Sequence, residues 1–134
     1  IIISVNKNRV LRRIFMSVLF INYPKCSTCI NARKWLEENN IEFTSRHIVE
    51  DNPKEDELKK YIKLSGLPVK KFFNTSGMLY REMNLKEKTA SATDDEMIKI
   101  LATNGMLVKR PLVVTEDGVL IGFKADKWKE FFNK

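Results

Sequence analysis

Residues 17–48 read SVLFINYPKCSTCINARKWLEENNIEFTSRHI. Residues 17–23 are short, apolar and closed by Pro24, which predicts a buried strand. The pattern becomes helical over residues 26–39, because apolar side chains recur every three or four positions opposite a charged face. Residues 41–48 then alternate as in a second strand. A strand, a helix and a strand in this order predict a parallel pair joined by a right-handed crossover.

The middle of the chain predicts a helical insertion. Asn52 is a candidate helix cap, Pro53 suits the first helical position and Glu55 can complete a capping box, in a helix that ends at Gly66. A short helix is expected near residues 85–90. A second capping box, at residues 93–96, opens another helix.

The last quarter of the chain predicts a β-hairpin and a final helix. Apolar residues 111–115 and 119–123 flank the turn sequence Glu-Asp-Gly, which is a strong hairpin signal. Residues 125–132 form an amphipathic helix with aromatic side chains on its buried face. The complete order predicts a single α/β domain with a thioredoxin-like fold, in which helices flank a four-stranded mixed sheet and a helical insertion interrupts it.

Composition and charge narrow the class of protein. The chain has 134 residues, of which 43% are hydrophobic and 31% charged, as expected of one globular domain. The longest apolar run falls well short of the roughly 20 residues that span a bilayer, which argues against a membrane protein. Two cysteines and one histidine cannot build a disulfide framework and leave a four-ligand zinc site hard to assemble.

The net charge of +7 is concentrated at the beginning of the chain. Residues 1–15 hold four basic and no acidic side chains, so the remainder carries only +3. Basic and acidic residues alternate in that remainder as on solvated helix faces, which disfavours nucleic-acid binding. Because Met16 directly precedes the first apolar run, we expect residues 1–15 to be an extension outside the fold and residues 16–134 to be the domain. The charge and apolar order of a secretory signal is absent, which favours the cytoplasm.

The chemistry is expected at Cys26 and Cys29, where the first strand leads into the first helix. Unpaired backbone N–H groups and the positive end of the helix dipole favour thiolate there, and Lys25 adds a positive charge. Cys26, nearer the helix end, is the predicted nucleophile, and Cys29, one turn further, the predicted resolving thiol. The alternatives are a pair of inert buried cysteines or half of a metal site.

Two further positions bear on the site. Arg110-Pro111 begins the third strand, where a proline is allowed because it need not donate to the ladder. In a thioredoxin-like fold a cis-proline often lies beside the catalytic cysteine, and Pro111 in that position would bring Arg110 to the site. The sequence alone does not decide whether the Arg110–Pro111 peptide bond is cis or trans. His47, on the second strand, is expected to have a structural rather than a catalytic role.

Three motifs in order resemble the arsenate reductase-like (ArsC/Spx) family of the thioredoxin superfamily. They are YPKCSTC at residues 23–29, GLPVKKFFNTSG at residues 66–77 and LVKRPLVV at residues 107–114. The resemblance covers residues 16–134 and leaves residues 1–15 outside. It implies a thioredoxin-like core with an inserted helical subdomain.

The resemblance also implies roles for residues. Cys26 matches the cysteine that attacks arsenic, and Arg110 matches the family arginine before the cis-proline, here Pro111. Lys70 stands where glutaredoxin-coupled arsenate reductases have an arginine, and Lys124 lies close to another such position. Substrate binding is therefore expected at Lys25, Lys70, Arg110 and Pro111. Lysine supplies charge but not the planar fork that arginine offers an oxyanion.

Cys29 departs from those reductases, which rely on glutathione. The Cys-x-x-Cys pair is instead similar to the Spx-type regulators and to uncharacterised arsenate reductase-like proteins of Gram-positive bacteria, and the second motif is closer to the latter. The first hypothesis is a thiol-disulfide oxidoreductase that acts on a small oxyanion, arsenate among them, or on a thiol substrate. A thioredoxin-, bacilliredoxin- or glutaredoxin-type protein would reset it, and no metal or bound cofactor is needed. The alternative is a redox-sensing transcriptional regulator that binds RNA polymerase.

Overall fold

The computed structural model describes residues 17–134, so the expectation for residues 1–15 lies outside the described residues. A mixed sheet of four strands forms the centre of this part of the chain. The strands are β1 (Leu19–Asn22), β2 (Thr44–His47), β3 (Leu112–Thr115) and β4 (Gly118–Ile121). Their order in the sheet is β2-β1-β3-β4: β1 pairs with β2 in parallel and with β3 antiparallel, and β3 pairs antiparallel with β4. The predicted four-stranded mixed sheet is confirmed.

One face of the sheet is covered by two helices. α1 (Ser27–Glu38) connects β1 to β2. The helix that follows the hairpin spans Ala125–Phe132 and is numbered α6, because four further helices lie between the second and third strands. Phe20 and Val113 from the sheet are fully buried in one cluster with side chains of α1 and α6, among them Trp128. Successive strand residues point to opposite faces, so Ile21 and Leu112 must serve a different core.

That second core belongs to the helical insertion. It contains α2 (Glu55–Ser65), α3 (Met78–Glu82), α4 (Leu85–Ala90) and α5 (Asp94–Thr103), with short 3-10 turns at Val69–Phe72 and Gly105–Leu107. Ile21 and Leu112 are fully buried in one cluster with Leu58, Phe72 and Leu101. The predicted helical insertion is therefore confirmed, and it packs on the face of the sheet opposite α1. Within residues 17–134, no helix is long and apolar enough to cross a membrane.

The predicted start of α2 is wrong. The helix begins at Glu55 with Lys54 as its cap residue, rather than at Pro53 after Asn52. The carboxylate of Glu57, three residues after Lys54, accepts the Lys54 backbone N–H at 3.0 Å and so supplies the capping contact. The Asn52 amide instead donates to the carbonyl of Ala102 at 2.8 Å, a contact between segments 50 residues apart.

Other boundaries are close to the expectation. The predicted cap at Thr93 is confirmed, because its hydroxyl accepts the Glu96 N–H at 3.2 Å. The second strand is shorter than residues 41–48, and β4 begins at Gly118 and ends at Ile121 rather than spanning residues 119–123. Helix α3 was not predicted. Its five residues are too few to show the three- and four-residue apolar periodicity by which a helix is recognised in a sequence.

Candidate active site at the start of the first helix

Cys26 is the residue that precedes α1. Its backbone is extended, with φ −86° and ψ 121°, and its N–H donates to the carbonyl of Tyr23 at 3.0 Å. The side chain is half-buried, whereas Cys29 is only 2% exposed and lies in the core face of α1. Both cysteines are free thiols. An external reactant therefore meets the sulfur of Cys26 and not that of Cys29.

The helix start changes the acidity of Cys26. Partial burial by itself would raise the pKa of this thiol, but hydrogen bonds to its sulfur from the backbone N–H and side chain of Cys29, from Arg110 and from the backbone of Thr28 outweigh that effect. The net result is a pKa of Cys26 below the ordinary value. Unpaired N–H groups at a helix start stabilise negative charge, which is the physical cause.

Cys29 is displaced in the opposite direction. Burial raises the pKa of this thiol to about 12, and the negative charge of the neighbouring Cys26 adds to the effect. One thiol of the pair is thus prepared to ionise, and the other holds its proton. A pair made of an attacking and a resolving cysteine requires a difference of this kind.

Arg110 lies beside Cys26. It ends the segment that leads into β3, and the Arg110–Pro111 peptide bond is cis. The guanidinium carbon lies 5.2 Å from the centre of the Tyr23 ring, in a cation–π contact. Within residues 17–134, Nε and Nη1 of Arg110 are buried and have no hydrogen-bond partner. Buried guanidinium donors without partners suit an oxyanion, because an oxyanion can accept both of them.

His47 has the structural role that the sequence predicted. Its Nδ1 accepts the backbone N–H groups of Val49 and Glu50 at 3.1 and 3.0 Å, and so caps the turn that follows β2. The ring also packs edge-on against Tyr23, with 5.7 Å between ring centres. His47 therefore supports the side chain on which Arg110 rests.

A cleft of about 460 Å³ opens at Cys26. Three basic side chains line it together with residues from α1, from the loop before α3 and from the end of β4. The lining residues are Cys26, Thr28, Asn74, Ser76, Gly77, Lys109, Arg110, Ile121, Gly122, Phe123 and Lys124. The structure thus brings Cys26 and Arg110 together in one cleft, with Lys124 on its wall.

Backbone pairing holds the loop wall of this cleft in place. Phe73 and Val108 form an isolated antiparallel bridge, and Asn74 N–H donates to the carbonyl of Leu107 at 2.8 Å. The Lys109 N–H donates to the carbonyl of Phe72 at the same distance. The second and third sequence motifs therefore meet through these bonds, immediately before Arg110.

Three of the four predicted substrate-binding residues are not part of the cleft lining. Lys25 and Lys70 are exposed, and Pro111 is buried. Their role in substrate binding stays a prediction. Lys109, which does line the cleft, was not predicted. Its position next to Arg110 in the third motif is the one signal that could have identified it.

Metal-ligating side chains are not gathered in this part of the chain. Residues 17–134 hold no cluster of three or more histidine, cysteine, aspartate or glutamate side chains that could bind a metal ion. The groups that the structure places around the sulfur of Cys26 are the Cys29 thiol, the Arg110 guanidinium and the backbone at the start of α1.

Among known proteins, the chain is similar both to an uncharacterised protein and to a transcriptional regulator. The uncharacterised protein YusI of Bacillus subtilis is 52% identical over 115 residues, which are 86% of this chain and 98% of YusI. The global transcriptional regulator Spx 2 of Bacillus anthracis is 26% identical over 114 residues, which are 85% of this chain and 86% of that protein.

Solved structures agree with the fold. An ArsC-family-related protein of Bacteroides fragilis superposes with a TM-score of 0.82 at 62% identity, covering 84% of this chain and 95% of the other. A Streptococcus mutans protein, described as a possible arsenate reductase, superposes with a TM-score of 0.76 at 37% identity and covers 84% and 97%. The model of the ArsC family matches residues 21–131, which include Cys26, Cys29 and Arg110. The chain therefore belongs to the ArsC family.

Proposed function

We propose that this protein is a thiol-disulfide oxidoreductase in which Cys26 is the nucleophile and Cys29 the resolving cysteine. The observation that carries the proposal is the placement of the two thiols: Cys26 is half-buried at the start of α1 in the cleft that Arg110 lines, and Cys29 is buried three residues further along the helix. The directions of the two pKa shifts, lowered at Cys26 and raised at Cys29, agree with this placement. Inert buried cysteines would not need one sulfur at the mouth of a basic cleft. A perturbed pKa together with such a cleft is typical of a reactive site.

The proposed reaction has two steps. The Cys26 thiolate attacks one sulfur of a disulfide substrate and displaces the other sulfur as a thiolate, which leaves a mixed disulfide on Cys26. With an oxyanion such as arsenate, it attacks the central atom and displaces one oxygen, which leaves as water after protonation. Cys29 then loses its proton and attacks the sulfur of Cys26, which releases the reduced product and leaves a Cys26–Cys29 disulfide. The substrate gains two electrons and the two thiols supply them.

Arg110 has two tasks in this scheme. Its contact with Cys26 favours the thiolate, and its two unpartnered donors favour an oxyanion or a developing negative charge beside the sulfur. These donors support arsenate as a candidate substrate. A dithiol of the thioredoxin, bacilliredoxin or glutaredoxin type would reduce the disulfide again, and the cytoplasm is the compartment that supplies such reductants.

The test is the pH dependence of Cys26 alkylation in the wild type and in Cys29→Ser, with Cys26→Ser as the control for any other reactive group. We expect the rate to rise with pH around a midpoint below the free-thiol value of about 8.5. Arsenate turnover is then measured in the same preparations with thioredoxin or with glutaredoxin. A midpoint near the free-thiol value, with no disulfide on oxidation, would refute the proposal.

A redox-sensing regulator is the second candidate function. It is favoured by the relative named a global transcriptional regulator, which aligns with 85% of this chain. In that case the disulfide would change a binding surface that recognises RNA polymerase. A pulldown with the C-terminal domain of the polymerase α-subunit, using reduced and oxidised protein, distinguishes the two. Redox-dependent binding without turnover would favour the regulator.

A further inference from the structure

His47 lies outside the cleft but contacts Tyr23, the residue on which Arg110 rests. β2 pairs in parallel with β1 and places His47 opposite Asn22, so the imidazole lies next to the ring of Tyr23, the following residue. The two rings meet edge-on at 84°, with 5.7 Å between their centres. The guanidinium of Arg110 packs on the same ring and also hydrogen-bonds the sulfur of Cys26. A series of side-chain contacts therefore connects β2 to the reactive sulfur.

The same imidazole holds the turn that follows β2. Its Nδ1 accepts the backbone N–H groups of Val49 and Glu50 at 3.1 and 3.0 Å. The Asp51 N–H donates to the carbonyl of His47 at 3.0 Å, which closes the turn. Because two consecutive backbone donors converge on one side-chain acceptor, the path of the chain over residues 48–50 depends on His47.

This turn packs against the segment that carries Arg110. Gly105 begins the 3-10 turn Gly105–Leu107, and its backbone runs so close to the turn after β2 that a Cβ there would overlap the carbonyl oxygen of Ile48. The same Cβ would lie 3.0 Å from Cα of Val49. Only a glycine allows two backbones to approach in this way. The chain then reaches Arg110 within five residues, so the turn supports the segment from which Arg110 projects.

Arg110 depends on such support because it has few polar contacts of its own. Within residues 17–134, its Nε and Nη1 are buried and have no hydrogen-bond partner. The position of the guanidinium is therefore set by the packing of the Tyr23 ring and by the course of the backbone. A shift of about 1 Å in a group of this kind can change a rate by as much as about 100-fold.

We propose that His47 is a positioning residue for the reaction of Cys26, and that it sets the place of the Arg110 guanidinium both through the Tyr23 ring and through the turn that it caps. This inference rests on the proposed oxidoreductase function and adds a residue of β2 to it. His47 is not a catalytic residue, because it neither lines the cleft nor belongs to the groups around the sulfur of Cys26.

The experiment separates the two routes with three variants of His47. His47→Phe keeps an aromatic ring against Tyr23 but has no acceptor for the turn. His47→Asn keeps a side-chain oxygen that can accept the N–H group two residues further on, but has no ring. His47→Ala removes both contacts. For each reduced protein, the rate of Cys26 alkylation is measured against pH, and disulfide formation is measured in single turnover with bis(2-hydroxyethyl) disulfide.

The expected changes are in the reactivity of Cys26. We expect His47→Ala to raise the midpoint of the alkylation profile by about half a pH unit, because the hydrogen bond from Arg110 to the thiolate is weakened. Disulfide formation should slow about tenfold. His47→Phe and His47→Asn each keep one route and should give values between those of His47→Ala and the wild type.

Thr93→Ala is the matched control for a general loss of stability. The Thr93 hydroxyl caps α5 by accepting the Glu96 N–H at 3.2 Å, so this variant also removes a side-chain acceptor from backbone donors. It has no connection to Arg110. Urea unfolding should show both Thr93→Ala and His47→Ala to be less stable than the wild type, but the alkylation midpoint and the disulfide rate of Thr93→Ala should be unchanged.

A double-mutant cycle decides whether His47 acts through Arg110. In an Arg110→Ala background, His47→Ala should change the alkylation midpoint little, because the residue through which it acts is gone. If His47→Ala does not fold, the same cycle is run with His47→Asn. An equal rise in both backgrounds, or a wild-type profile in the variants of His47, would overturn the positioning role and leave the oxidoreductase function standing. A wild-type midpoint near that of a free thiol, with no disulfide on oxidation, would instead refute the oxidoreductase function.

Discussion

Two arginines at opposite sides of β1 have contrasting surroundings. Arg46 on β2 has every guanidinium nitrogen engaged, with Nη1 and Nη2 donating to the Glu57 carboxylate at 2.6 and 2.9 Å. Its Nε donates to the carbonyl of Asp51 at 2.8 Å, and Nη2 also reaches the carbonyl of Asn52. Arg110, by contrast, leaves Nε and Nη1 buried without a hydrogen-bond partner among the described residues.

The difference distinguishes a structural ion pair at Arg46 from a candidate ligand site at Arg110. Folding alone gives each guanidinium nitrogen of Arg46 a hydrogen-bond partner. The ion pair with Glu57 connects β2 to the first turn of α2 and so anchors the insertion to the sheet. An unsatisfied buried donor costs stability, and such donors concentrate where a ligand will complete them. The packing of Arg110 on Tyr23 holds the guanidinium in place without using those donors. Changes at the two arginines should therefore affect different measurements.

Removing Arg110 should have the largest effect of the changes considered, and the effect should be on the reactivity of Cys26 rather than on stability. We expect Arg110→Ala to raise the pKa of Cys26, because a hydrogen bond to the thiolate is lost, and to lower single-turnover disulfide formation about 100-fold. Arg110→Lys should give a pKa of Cys26 and a rate between those of the wild type and Arg110→Ala, since lysine keeps the charge but not the planar set of guanidinium donors. The pH profile of alkylation and the turnover rate check both. An unchanged pKa and rate in Arg110→Ala would show that the contact is incidental.

Removing the partner of Arg46 should act on stability instead. Glu57→Gln keeps the shape of the side chain but loses the ion pair, and we expect it to lower the free energy of unfolding by about 2 kcal/mol. Urea unfolding gives this value, and the alkylation of Cys26 should stay at the wild-type rate. A loss of thiol reactivity equal to that in Arg110→Ala would contradict the separation of the two regions.

The same ion pair predicts how stability depends on acid. The hydrogen bond from Arg46 is the main cause that lowers the pKa of Glu57 from 4.5 to about 2 in the folded protein. The contribution of Glu57 is therefore complete above pH 4.5 and is lost as the pH falls towards 2, because the unfolded chain binds the proton first. With 31% of the Glu57 side chain exposed, we expect a loss of about 1–2 kcal/mol. Unfolding measured between pH 5 and 2 should show a smaller loss in Glu57→Gln than in the wild type, and parallel curves would refute the assignment.

The fold could be predicted from the sequence because its elements carry local signals. The apolar run before Pro24, the periodicity of α1 and the Asp-Gly turn each act over fewer than about a dozen residues. The start of α2 was predicted wrongly because the contact that decides it is not local in the sequence. Asn52 is a good local cap, but its amide bonds to Ala102 on α5, and that contact exists only once the insertion is packed.

The site was predicted in part. The spacing of Cys26 and Cys29 placed the candidate site at the start of α1, and the third motif placed Arg110 in it. What local patterns could not supply is the environment of Arg110, because the Tyr23 ring and the wall formed by Lys109 come from segments that meet only in the folded sheet. Lys25 shows the converse, since it is adjacent to Cys26 in sequence but lies outside the cleft lining.

The smallest expected effect concerns the ring on which Arg110 rests. Tyr23→Leu removes the cation–π contact at 5.2 Å but keeps an apolar side chain, and we expect disulfide formation to slow about fivefold with a small rise in the pKa of Cys26. Tyr23→Phe keeps the ring face and should behave as wild type in both measurements. If Tyr23→Leu lowers thermal stability but leaves the alkylation profile unchanged, Tyr23 is a packing residue only. If both the rate and the pKa of Cys26 change in Tyr23→Leu and return to the wild-type values in Tyr23→Phe, the Tyr23 ring positions the guanidinium of Arg110 beside Cys26.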